Sequence, residues 1–182
     1  MKRTFVLPAG VLGCLVFAAA AQAATMSSAD YRGARDRIAA EYKAATAACD
    51  KLVDNAKDVC REQAKGREKV ASAELEYNRS GQRKDATRLA TVKADADFRV
   101  ARERCDDRSG NDKEVCVAEA KTAHTKALAD ARMRQRVGEA REDAAEDKRE
   151  AEYQLARERC DALTGDAKAK CLADARARFG KG

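Results

Sequence analysis

The sequence predicts an all-α fold: elongated antiparallel helical hairpins forming a rod, stapled by three local disulfides. Three observations predict it. Pro8 is the only proline, and the rest of the chain is rich in Ala, Glu, Lys and Arg, a composition that favours helix almost everywhere. Six cysteines fall as Cys49/Cys60, Cys105/Cys116 and Cys160/Cys171, every pair is C-x10-C, and successive pairs lie 56 and 55 residues apart. The flanks repeat with them. Tyr42, Phe98 and Tyr153 stand seven residues before each first cysteine, and Ala45, Ala101 and Ala156 four before it. Those offsets put aromatic, alanine and cysteine on one helical stripe. Ala64, Ala120 and Ala175 follow each second cysteine by four, so the stripe resumes on the far side of each motif.

Taken in order, the elements are helices over 29–52, 56–79, 82–107, 112–162 and 167–178. In one continuous helix eleven residues rise about 16 Å, whereas a disulfide needs Cα atoms within about 7 Å. Each C-x10-C segment must therefore fold back, unless the bonds join separate chains. Gly110 and Gly165 can end a helix in the left-handed conformation, Asn111 and Asp166 are placed as N-caps, and Asp54-Asn55 holds the same two places in the first copy. Asn111 with Glu114 reads as a capping box. Ser80-Gly81 is the one interior break between hairpins.

The hairpin at 105/116 sets a register in which facing residues sum to about 221. This places Cys60 beside residue 161. The helices over 56–79 and 82–107 then run end to end along 112–162, giving a two-helix tip at one end and a four-helix bundle with two staples at the other. The core is thin. Alanine supplies 41 residues, and Val, Ile, Leu, Phe, Met and Tyr number 24 in the 159 residues after Ala23, too few for a conventional globular interior. Three disulfides, each worth about 2–4 kcal/mol, offset that deficit.

Met1-Lys2-Arg3, the apolar run Phe5–Ala20 and Ala21-Gln22-Ala23 form the charged, apolar and small-x-small regions of a signal peptide, with cleavage expected after Ala23. Residues 24–182 are then a single elongated helical domain with no membrane span. Lipidation at Cys14, or retention of residues 5–24 as an anchor, are the alternatives. Cleavage leaves an even number of cysteines, as expected in an oxidising compartment, periplasmic or extracellular.

Few chemistries fit. His124 is the sole histidine and reads as a surface residue. No cofactor, no metal site and no catalytic constellation is expected, and paired acids such as Glu142-Asp143 lack the apolar surroundings that raise a carboxyl pKa. The cysteines read as staples rather than redox thiols. Charges segregate mid-rod: Arg79, Arg83, Lys84 and Arg88 face Arg132, Arg134 and Arg136, a basic belt able to attract an anionic surface polymer with strong salt dependence. Sequence-specific nucleic-acid binding is not expected without groove-reading motifs. Gly81 and Gly138 fall at one height, a candidate hinge.

The C-D-x-L-x-G-[ND]-A-K-x-x-C style repeats, the leader and the closing Ala-Arg-Ala-Arg-Phe179-Gly-Lys-Gly resemble exported Ala/Lys/Glu-rich proteobacterial proteins often labelled TolA-like or cell-envelope proteins. The resemblance implies a periplasmic, envelope-associated setting and no activity. The expected role is a non-enzymatic structural or interaction element, partnered by an envelope protein, an anionic polymer or a further copy of itself. The rival role is a helical stress chaperone.

Overall fold

The computed structural model describes residues 26–181; the expected signal peptide, its expected cleavage point and Cys14 lie outside them. Within that range the chain is five α-helices and one short 3-10 turn: α1 Ser28–Cys49, α2 Asp54–Ser80, α3 Arg83–Arg104, the turn Cys105–Asp107, α4 Gly110–Asp161 and α5 Gly165–Phe179. None of the described helices is long and apolar enough to cross a membrane. The expected bounds hold to within a turn, and the chain doubles back at all three cysteine pairs. Cys49–Cys60, Cys105–Cys116 and Cys160–Cys171 are disulfides with Cα–Cα distances of 5.6, 5.7 and 5.6 Å.

The sequence stripe is the core. Cys49, Cys105 and Cys160 are the largest fully buried side chains among the described residues, and Ala64, Ala120 and Ala175 are buried as well. Every copy adds an ion pair across its turn. The aspartate after the first cysteine meets the lysine three residues before the second: Asp50–Lys57 at 3.4 Å, Asp106–Lys113 at 2.8 Å and Asp161–Lys168 at 2.9 Å. The core holds no buried charged or polar side chain among the described residues.

Two expectations about the turns need correction. Gly110 and Gly165 do take positive φ, 54° and 57°, and Asp54 matches them at 48°. These residues begin helices rather than end them, after extended Ser109, Thr164 and Val53. Asn111 and Asp166 are therefore inside the first turn and do not cap. The positive φ turns the chain into the second helix after that extended link.

The larger correction concerns the middle. The chain reverses at Gly81, and α2 packs on α3 more extensively than any other helix pair meets. Gly81 ends α2 with φ 61° and its N–H reaches Tyr77 O. The Ser80 hydroxyl accepts from the Gln82 N–H at 3.1 Å and donates to Asp85 at 2.6 Å, holding the tight turn. Along the seam a Cβ on Gly66 would lie 3.1 Å from Ala96 Cβ; the missing side chain is what lets the helices approach. Consequently α2 does not lie along α4, and Cys60 faces the C-terminal end of α3 rather than residue 161. The helices form an open serial layer, α1–α2–α3–α4, each packed chiefly on its chain neighbours. Two staples share one end of this layer. The third sits at the far end of α4, whose 52 residues span about 78 Å and whose C-terminal part pairs with α5.

Candidate functional site

Phe98 stacks on His124 with ring centroids 4.7 Å apart, and Tyr153 meets Phe179 at 5.9 Å. His124 and Phe179 each stand eight residues after the second cysteine of their copy. An aromatic seven before the first cysteine thus finds a ring partner from the returning helix in the second and third hairpins. In the first hairpin that place is Glu68, and among the described residues no ring stacks on Tyr42. A groove of about 860 Å³ opens there across α1, α2 and α3. Ile38 and Tyr42 of α1, Val70 and Ala71 of α2, and Ala96 and Val100 of α3 line it. Its charged lining is mixed, with Glu41, Glu74 and Asp97 beside Arg67, Lys93 and Arg104. Such a surface suits an apolar stripe flanked by both signs of charge rather than a polyanion. Sequence reasoning missed it, although the missing aromatic eight after Cys60 was a readable signal.

His124 is not the surface residue that the sequence suggests. It is half-buried, with Nε2 2.7 Å from Asp95 Oδ1 and its ring on Phe98. It joins α3 to α4.

The basic-belt residues do not form one patch. Arg79 pairs with Glu76 at 3.1 Å and lies over the Tyr31 ring at 4.7 Å. The Tyr31 hydroxyl donates to Glu76; that bond raises the Tyr31 pKa and, with Arg79, holds the Glu76 carboxyl below the usual range. Arg83 pairs with Glu142 on α4. Arg88 lines a second groove, on the opposite side of the layer, together with Glu76 and Asp85. Lys84 is exposed, as are Arg132, Arg134 and Arg136. Two-residue steps turn a helix by about 200°, so Arg134 points away from Arg132 and Arg136.

Gly81 and Gly138 meet at one height through Arg83, but the setting differs from a hinge across two continuous helices. Gly81 is the reversal itself. Gly138 is a notch in α4, where a Cβ would run into the Arg83 guanidinium. The Arg83 Nε is buried there without a hydrogen-bond partner.

Asp50, Glu150 and Asp161 also have lowered pKa values. Hydrogen bonds from Arg61 and Lys57, from Lys181 and Gln154, and from Lys168 respectively are the main causes. All three lie at the stapled turns or along the α4–α5 pair, so these charges bind the hairpins together rather than mark a reaction centre. In comparisons with known proteins, no family model, no curated protein and no solved structure matches this chain.

Proposed function

We propose that this protein is a non-enzymatic helical structural and interaction element of the cell envelope, exported to an oxidising compartment, and that its groove across α1–α3 seats an amphipathic helix of an envelope protein. The observation that carries the reading is the unstacked Tyr42 in an apolar groove with mixed charges. Three disulfides favour a compartment that keeps thiols oxidised, and the resemblance to TolA-like envelope proteins points the same way. Binding of anionic polymers is a weaker reading, because Arg79 and Arg83 are already paired within the chain.

The test is an NMR titration of the oxidised protein with a synthetic amphipathic helix carrying an Ala/Leu stripe and alternating Glu and Lys flanks. Amide shifts should move at Ile38, Tyr42, Val70 and Val100, and Tyr42→Ala should weaken binding at least tenfold. A titration that leaves those amides unmoved would remove the reading. Suppression of client aggregation at stoichiometric amounts, lost in the same variant, would shift it to the chaperone role.

A further inference from the structure

The exposed line along α4 matches, residue by residue, the interface between α2 and α3. Cys60 and Cys116 are 56 residues apart, and Cys105 and Cys160 are 55 apart, so each residue of α2 and α3 has a counterpart in α4. On α2, Gly66, Val70, Ala73 and Tyr77 share one side by helical spacing, the side that meets α3 at Ala96. Their counterparts are Thr122, Lys126, Ala129 and Met133. On α3, the side that meets α2 carries Asp85, Leu89, Val92, Ala96 and Val100; the counterparts are Ala140, Ala144, Asp147, Ala151 and Leu155. None of the nine residues on α2 and α3 is exposed, and all nine counterparts on α4 are.

The reason is one turn. Gly138 lies one to two residues past the place on α4 that matches Gly81, and the chain reverses only at Gly81. Ser80 braces the reversal at Gly81. At Gly138 the neighbours are Val137 and Glu139, and the helix runs straight through. As a result Met133, Val137 and Leu155 stand in solvent at 57%, 44% and 53% exposure, on the side of α4 away from α3 and α5. Arg141 to Arg149 are nine exposed residues in succession.

We infer that a second copy of this chain covers this line, with the two α4 helices antiparallel and remaking the α2–α3 seam between molecules. The register carries over at a wider helix spacing, because Thr122 stands where α2 has Gly66. Gly66 opposite Ala96 becomes Thr122 opposite the second copy's Ala151, so facing residues sum to about 273 and the two-fold axis passes near Val137. That register sets Lys126 against the second copy's Asp147, the places that Val70 and Val92 hold in the α2–α3 seam. A parallel pairing sets Arg132, Arg134 and Arg136 against themselves. In the antiparallel pair, the C-terminal part of one α4, with its α5, continues the other molecule's layer beyond its α4. The contact runs from about residue 119 to 155 on each helix, roughly 50 Å. It uses α4 and not the groove, so it stands independently of the proposed function.

Sedimentation equilibrium of the oxidised protein tests it. A monomer–dimer equilibrium is expected, with Met133→Glu and Leu155→Glu each raising the dissociation constant at least tenfold while helix content and all three disulfides are retained. Lys126→Asp should weaken the dimer, and adding Asp147→Lys should restore it. A monomer at every concentration would overturn the inference, whether α4 stays straight or folds back at Gly138. So would a dimer indifferent to both glutamate substitutions.

Discussion

Asp54 occupies the same place in its hairpin as Gly110 and Gly165 do in theirs, yet it carries a side chain at φ 48°. A left-handed residue with a Cβ costs about 1–2 kcal/mol, less for aspartate than for most. Asp54→Gly should therefore stabilise the fold by about 0.5–1 kcal/mol, and Gly110→Ala should destabilise it by about 1 kcal/mol, both read by urea unfolding of the oxidised protein. The carboxylates give a second residue-level expectation. Asp50, Glu76, Glu150 and Asp161 all have folded-state pKa values below their ordinary ones. Their contribution is present above the unfolded values and is lost as pH falls through the folded ones. Thermal stability should decline below about pH 4, with a modest amplitude because Asp50 and Asp161 are exposed, Glu76 and Glu150 only half-buried, and all four are screened by solvent. Lys168→Met should shrink the part of that decline due to Asp161; an unchanged acid limb would contradict the pairing.

At the scale of elements, the α2–α3 seam depends on Gly66. A side chain there must displace Ala96 or push the helices apart, so Gly66→Leu should cost about 1–3 kcal/mol despite the better helix propensity of leucine. A Gly66→Leu protein with wild-type unfolding would refute the close approach. The staples and helix bounds were legible in the sequence because a C-x10-C spacing admits few geometries and no proline interrupts the helices. The direction taken between hairpins was not. Ser80-Gly81 and Gly138 give similar local signals, and only the packing of Gly66 on Ala96, together with Ser80 bracing its own turn, decides that one reverses and the other does not. The groove escaped for a related reason: Tyr42 opens it through what the returning helix lacks at Glu68, and an absence eight residues past a cysteine stands out only once the other two hairpins are seen to stack. The belt, conversely, was visible as charge, but helical phase scatters Arg132, Arg134 and Arg136.

For the whole molecule, the account is a serial layer of stapled hairpins whose last member is carried away on a straight α4. The turns of the first two hairpins share one end, and the third lies a helix length off. Distances between spin labels measure this directly. Labels introduced through non-cysteine chemistry at Val53, Arg108 and Leu163, in pairs, mark the three turns, and dilution with excess unlabelled chain restricts the signal to one molecule. The predicted Val53–Arg108 distance is about 20 Å, from two interhelical spacings, and the predicted Arg108–Leu163 distance is about 80 Å. A short Val53–Leu163 distance with Val53 remote from Arg108 would mean that α2 runs on into α3 along α4, and would contradict the serial layer.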